Sequence, residues 1–179
     1  VGVLRSPGPE LLVVGAHHDT APAAPGAYDD GGGLGVLIEV ARVLFQQGER
    51  PRTILFVSWD AEEAFSQHRD AKTEGSRAFI KALGQERENL VAGVDVEMSG
   101  YAKGAPNIHP IAYADPNRPG RYVIAPGWLV RAAVTAARQS RVPLHVGDPL
   151  LGWLYQPAVR TLRAPLYGDD LSFVQAGLP

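Results

Sequence analysis

The 179-residue chain contains no cysteine, a single methionine and no long apolar run. Without cysteine there are neither disulfide bonds nor thiolate ligands, so a bound metal would have to be held by imidazole and carboxylate groups. A transmembrane helix needs about 20 consecutive apolar residues, so the sequence predicts no membrane span. The composition gives no indication of an oligomeric state.

Charge of either sign is nearly balanced. Lysine and arginine number 17 and aspartate and glutamate 19, which gives a formal net charge of −2. Because no basic run provides a surface that could follow a phosphate backbone, we expect no nucleic-acid partner. Hydrophobic residues make up 45% of the chain, enough for one sizeable core. We therefore expect residues 1–179 to form a single domain.

Short apolar runs alternate with segments of helical periodicity. The predicted strands are residues 10–16, 52–59 and 90–98, with weaker candidates at 108–113 and 144–146. The predicted helices are residues 33–46, 76–83, 127–138 and 169–176. This alternation predicts an α/β fold, a three-layer α/β/α sandwich with a mostly parallel central sheet.

Polar side chains are concentrated where the first three predicted strands end. These residues are His17, Asp19, Glu62, Glu63, Asp95 and Glu97. In an open α/β sheet, the carboxyl ends of the strands form the edge where ligands bind. Residues two apart on an extended segment point to the same side, so His17 and Asp19 can act together while His18 points elsewhere. A ligating imidazole commonly donates its second N–H to a carboxylate, which makes Asp19 the expected orienting partner of His17.

Asp29 and Asp30 precede three consecutive glycines. The glycines allow a sharp turn into the next helix, whose N-terminal end favours nearby carboxylates. So much negative charge beside an imidazole predicts a cation site at this edge of the sheet.

Six segments, in order along the chain, resemble the motifs of the M28 zinc peptidases. They are AHHD, PGAYDDGGG, RTILFVSWDAEE, GSRAF, VDVEMSG and GDDLSFVQAGLP. That family includes leucyl-type aminopeptidases of bacteria and glutamate carboxypeptidases, with glutaminyl cyclases and the transferrin receptor as relatives. The resemblance covers residues 11–179. It implies the phosphorylase/hydrolase-like fold of zinc exopeptidases and a catalytic domain that acts on peptide substrates.

The resemblance also implies a pair of zinc ions and a role for each matching residue. His17 matches the first zinc-binding histidine. Asp29 matches the carboxylate that bridges both metals and is followed by a cis peptide bond to Asp30. Glu62 matches the general base, and Glu63 matches a ligand of the second zinc.

The third-strand ligand has two candidates. The family commonly has Asn-x-Asp-Met-x-Gly here, and the spacing of Met98 and Gly100 aligns Glu97 with the ligand and Asp95 with the asparagine. We therefore expect Glu97, with Asp95 as the alternative. In full, the predicted metal ligands are His17, Asp29, Glu63 and Glu97, and the predicted catalytic residues are Glu62 and Asp19.

The chain departs from the family pattern in two places. Asp170 stands where relatives have a histidine near the substrate pocket, so we expect an altered substrate preference. The family's last zinc ligand is a histidine beyond the Gly-x-Pro stretch, which here ends at Pro179. The remaining histidines, which match no ligand motif, are His68, His109 and His145. We therefore expect the complete protein to continue beyond Pro179 and to have more chain before the first strand.

The favoured hypothesis is a zinc-dependent aminopeptidase, although the motifs do not distinguish it from a carboxypeptidase. A glutaminyl cyclase is the alternative enzyme. An inactive binding module like the transferrin receptor would have lost ligands, whereas four of the five family ligand positions are filled here. The family resemblance further suggests a secreted or extracytoplasmic protein.

Overall fold

The computed structural model describes residues 1–63, 73–100, 107–108, 112–114, 122–124, 127–146 and 168–178. The contacts divide the chain into two units. One unit comprises Val1–Tyr101 and Tyr167–Leu178, and the other comprises Ala102–Leu166 with Pro179. That all 179 residues form one catalytic domain stays a prediction.

A four-stranded sheet lies at the centre of the first unit. Its strands are β1 (Gly2–Leu4), β2 (Leu11–His17), β3 (Thr53–Trp59) and β4 (Leu90–Asp95), in the order β1-β3-β2-β4. Strand β2 pairs in parallel with both β3 and β4, whereas β1 pairs antiparallel with β3. The mostly parallel sheet predicted from the sequence is confirmed. Strand β1 was not predicted, because three residues are too few to show a period of two.

The helices along the described chain are α1 (Gly31–Gln46), α2 (Glu74–Leu83), α3 (Gly127–Ser140) and α4 (Asp170–Gln175), with a 3-10 helix at Gly84–Asn89. All four predicted helices are confirmed, with ends that differ by two residues or fewer. Strand β4 is shorter than predicted, because the chain has left the extended conformation by Met98, where φ is 47°.

Helices cover both faces of the sheet in the first unit. On one face, α2 and α4 pack over alternate residues of the central strands, and Trp59 makes edge-on contacts with Phe79 and Phe173. On the other face, Leu37 of α1 packs against Ala16 and Phe56. This alternation buries the central strands on both sides, which explains their nearly unbroken apolar runs.

The second unit contains helix α3 and two pairs of short strands. β5 (Asn107–Ile108) pairs in parallel with β8 (His145–Val146), and β6 (Ala112–Ala114) pairs antiparallel with β7 (Tyr122–Ile124). The strand predicted at 144–146 corresponds to β8. The strand predicted at 108–113 overlaps two separate strands, β5 and β6, and residues 109–111 lie outside the described residues. Within the described chain, no helix combines the length and apolar character needed to span a membrane.

A close approach between β2 and β3 makes the size of residue 15 critical. A Cβ atom on Gly15 would overlap the indole ring of Trp59, whose side chain is buried in the core. We predict that Gly15→Ala lowers the free energy of unfolding by about 1–3 kcal/mol through overpacking. Urea denaturation would measure this change.

Gly35→Ala provides the matched control for that measurement. Gly35 lies on the exposed side of α1, and a Cβ atom there meets nothing within 4 Å. The same substitution should therefore stabilise the protein by about 0.5–1 kcal/mol, because alanine favours helix over glycine. Equal effects of the two variants would contradict the proposed overlap at Gly15.

Candidate metal centre

The register of the parallel strands aligns their carboxyl ends. His17, the last residue of β2, pairs with Trp59, the last residue of β3. On the other side of β2, Gly15 pairs with Asp95, the last residue of β4. The segments that carry the predicted site residues therefore leave the sheet at the same edge, as the sequence predicted.

Three of the predicted metal ligands meet at this edge. The Nε2 atom of His17 lies 2.9 Å from Oδ1 of Asp29 and 3.7 Å from Oε2 of Glu97. One donor atom from each of the three residues lies within 4.8 Å of the others. His17 is 1% exposed, whereas about a third of the Asp29 and Glu97 side chains is accessible to solvent. The cluster thus has a buried imidazole and two carboxylates open to the crevice.

Of the two third-strand candidates, only Glu97 joins this cluster. Asp95 still belongs to β4, and its buried Oδ1 atom has no hydrogen-bond partner among the residues that the structure describes. Glu63, also predicted as a ligand, is outside the cluster. Among the described residues, the cluster of His17, Asp29 and Glu97 is the one group of three or more potential ligand side chains whose ligand atoms all lie within 4.8 Å of one another.

Asp19 holds His17 mainly through its main chain. The Nδ1 atom of His17 lies 3.0 Å from the carbonyl oxygen of Asp19 and 3.6 Å from its carboxylate oxygen Oδ1. The sequence predicted the carboxylate as the orienting partner, but the carbonyl oxygen is the closer acceptor. The carboxylate instead accepts hydrogen bonds from the backbone amides of Glu62, at 3.1 Å, and Glu63, at 2.8 Å.

The opposite side of the centre is built by Asp30 and the glycines that follow it. Asp30 is fully buried, caps α1 by accepting the amide N–H of Gly33 at 2.9 Å, and follows Asp29 through a cis peptide bond, as the family resemblance implied. A Cβ atom on Gly32 would overlap the carbonyl oxygen of Ser99. Glycine at that position lets the segment that carries Glu97 pack against the start of α1.

His18 points away from the centre, as predicted. Its ring is about half exposed, with Nδ1 2.8 Å from the hydroxyl of Ser58 and Nε2 3.7 Å from a carboxylate oxygen of Asp60. Of the other histidines, His145 lies exposed in β8, and His68 and His109 lie outside the described residues.

Asp169 is a buried acidic residue that was not among the predicted site residues. It is fully buried directly before α4, and its carboxylate lies beside Ser76 of α2. Asp170, which replaces the family histidine, is the first residue of α4, and its backbone amide hydrogen-bonds to the carboxylate of Asp95. The sequence shows two adjacent acidic residues in the GDD segment, but the burial of Asp169 depends on how α4 packs.

Burial shifts the acidic groups of the centre towards their protonated forms. It raises the pKa of Glu97 to about 8 and that of Asp169 to about 7, and it raises the pKa of Asp95 well above its usual range. Burial alone would lower the pKa of His17, but the negative charge of Glu97 and the hydrogen bond to Asp19 outweigh it, so the pKa is raised. Carboxylates crowded together in this way favour a positive charge among them.

The donor set at this position suits zinc. One imidazole nitrogen and two carboxylate oxygens from separate chain segments are ligands that zinc takes in proteins, and two partly exposed carboxylates leave an open side for substrate.

These shifts predict that the metal-free protein loses stability as the pH rises. The ordinary pKa values are 3.8 for Asp169 and 4.5 for Glu97, against about 7 and about 8 in the folded protein. Because the folded state holds these protons over a range where the unfolded chain has released them, their contribution is fully present below about pH 4 and is lost by about pH 8. Urea denaturation in the presence of a chelator, from pH 4 to pH 8.5, would show the decline.

Asp169→Asn removes one titrating group and should therefore make that decline smaller. Asp60→Asn is the matched control, because Asp60 is an exposed carboxylate of the same unit, and it should leave the pH dependence unchanged. Stability that rises between pH 4 and pH 8, or a decline that Asp169→Asn leaves intact, would contradict the prediction.

Comparison with known proteins points in the same direction as the geometry. The profile described as Peptidase family M28 matches residues 1–139. Leucine aminopeptidase 1 of Aspergillus oryzae is 36% identical over 119 residues, a match that covers 59% of this chain and 29% of that protein. The chain thus spans less than a third of the length of this relative.

Solved structures share the fold at low sequence identity. A glutaminyl cyclase from an Acidobacteriales bacterium has a TM-score of 0.68 and 20% identity, over 99% of this chain and 54% of that chain. A zinc aminopeptidase from Bacillus subtilis has a TM-score of 0.67 and 21% identity, over 99% of this chain and 37% of that chain. The profile match extends over 139 of the 179 residues, and the parallel strands bring its motifs together at one edge of the sheet. The chain therefore belongs to peptidase family M28.

Proposed function

We propose that this chain carries the catalytic site of a zinc-dependent aminopeptidase. The observation that supports the proposal most directly is the meeting of His17, Asp29 and Glu97 at one point, with Glu62 close enough to influence the pKa of both His17 and Glu97. The names of the relatives support the aminopeptidase activity, since leucine aminopeptidases and a zinc aminopeptidase are among them.

In this proposal, His17, Asp29 and Glu97 hold one zinc ion. Asp29 and Glu63 would contribute carboxylate ligands to a second ion, as the family resemblance implies. The chemistry that zinc would supply when bound here is Lewis-acid polarisation of the carbonyl group of the scissile peptide bond. An extracytoplasmic location remains part of the proposal on the strength of the family resemblance.

Glu62 is the proposed general base. Glu62 is 7% exposed and lies close enough to His17 and Glu97 to interact electrostatically with both. It would take a proton from the attacking water molecule and return it to the amine that leaves when the peptide bond breaks. The negative charge of Glu62 contributes to the raised pKa values of both Asp169 and His17, which places it near these two groups.

A glutaminyl cyclase is the second candidate. The fold similarity to the Acidobacteriales enzyme is as high as that to the Bacillus subtilis aminopeptidase, so the fold does not separate the two activities. Asp170, in the place of the family histidine, adds negative charge near Asp95. Incubation with peptides that begin with glutamine separates the candidates, because cyclisation releases ammonia without shortening the peptide.

Glu62→Gln tests the proposed base. The glutamine keeps the size of the side chain but cannot accept the proton, so we expect kcat for hydrolysis of a leucyl amide to fall by about 10²–10⁴-fold. Zinc content, measured by elemental analysis of the full-length protein, should stay unchanged. Asp60→Asn, which alters an exposed carboxylate two residues away, should change kcat less than about twofold. Full activity of Glu62→Gln would exclude this residue as the base.

Glu97→Gln and Asp95→Asn distinguish the two candidates for the third-strand ligand. Because a neutral amide is a poor zinc ligand, Glu97→Gln should reduce the zinc retained after dialysis, whereas Asp95→Asn should retain the wild-type amount. The reverse outcome would assign the ligand to Asp95. His17→Ala, which removes the imidazole, serves as the reference for loss of the same ion.

A further inference from the structure

We infer that the carboxylate of Asp19 positions the Glu62-Glu63 turn, by accepting hydrogen bonds from the backbone amides of both glutamates. The inference rests on the proposed role of Glu62 as the general base. Asp19 is thus a positioning residue that acts through Glu62 and Glu63, in addition to holding the ring of His17 through its own main chain.

Asp19 makes two kinds of contact, one through its backbone carbonyl oxygen and the other through its carboxylate. Its carbonyl oxygen lies 3.0 Å from Nδ1 of His17, while Oδ1 and Oδ2 accept the amides of Glu62 and Glu63 at 3.1 Å and 2.8 Å. Each carboxylate oxygen therefore serves one amide. A hydrogen bond to a charged acceptor is stronger than one between neutral groups, and two parallel bonds also fix direction.

The turn that carries the glutamates begins at a residue with an unusual backbone conformation. Ala61 has φ of 60°, in the left-handed region that residues other than glycine seldom adopt. Its amide donates to Oδ1 of Asp60, which is exposed, and its carbonyl oxygen accepts the amide of Thr73. The amides of Glu62 and Glu63 follow directly and donate to the carboxylate of Asp19.

The position of these bonds couples the ends of β2 and β3. Asp19 follows β2 by two residues, whereas Glu62 follows β3 by three, so the contact links segments 43 residues apart in the sequence. Asp19 thereby holds both the ring of His17, a proposed ligand, and the backbone of Glu62, the proposed base. Loss of the carboxylate would leave the His17 contact with the carbonyl oxygen in place while releasing the turn.

Amide hydrogen exchange in the metal-free full-length protein tests the positioning role without reference to activity. Asp19→Ala should speed exchange at the amides of Glu62 and Glu63 about tenfold or more, because each loses a charged acceptor. Asp19→Asn retains one acceptor oxygen and should give an intermediate effect. The Gly33 amide, which donates to Asp30, is the internal control and should exchange at an unchanged rate.

Asp60→Ala is the matched control variant. It also removes a carboxylate that accepts a backbone amide in this turn, but that carboxylate is exposed and water replaces it. Exchange at Glu62 and Glu63 should change less than about twofold in this variant. Unchanged exchange at Glu62 and Glu63 in Asp19→Ala would overturn the inference, as would an equal effect of Asp60→Ala.

A double-mutant cycle tests whether the effect reaches the reaction through Glu62. Asp19→Ala should lower kcat about tenfold with KM nearly unchanged, yet less than about twofold when Glu62 is already glutamine. Equal effects in both backgrounds would show that Asp19 does not act through Glu62. If the unsubstituted protein fails to hydrolyse peptides, the proposed function fails, and the exchange experiment still decides the positioning role.

Discussion

Parallel pairing of β2 with β3 and β4 is the constraint on which the rest of this structure depends. Because His17 pairs with Trp59 and Gly15 with Asp95, the three strands end at nearly the same level. Each strand contributes one polar segment to the edge where it ends, and Asp29 joins them from the start of α1. A slip of one residue would turn His17 to the other face of the sheet and dissolve the cluster.

Ionisation of the acidic groups at this edge of the sheet is unfavourable in the absence of a cation. Glu97, Asp169 and Asp95 all have raised pKa values, with burial as the main cause in each. A divalent ion reverses that preference, since it favours the charged form of every carboxylate near it. The same packing that makes the metal-free centre sensitive to pH therefore makes it suited to bind a metal.

Support for the centre comes from carboxylates that accept backbone amides. Asp30 caps α1 through Gly33, and Asp19 holds the amides of Glu62 and Glu63. Asp30 directly follows Asp29, and Asp19 follows His17 by two residues. Each supporting carboxylate is therefore close in the chain to a proposed ligand. Gly32 completes the arrangement, because the absence of a Cβ atom lets the Glu97 segment approach α1.

The sequence by itself determined the fold class, the central strands and helices, and the family, because buried parallel strands and amphipathic helices leave periodic patterns and because motifs keep their order. It also placed His17 and Glu97 at strand ends and Asp29 just before a helix, and the family resemblance implied that these three residues belong to one centre. Short strands such as β1 were not predicted from the sequence, because three residues are too few to show a periodic pattern.

Tertiary structure alone decided which atoms of these residues meet. The bonds from the amides of Glu62 and Glu63 to Asp19, the distance of Glu97 from His17 and the burial of Asp169 all depend on how segments far apart in the chain pack together. A local pattern records which side of a strand a residue occupies. It does not record the distances across neighbouring strands, because these are set by the register and by side chains from other parts of the chain.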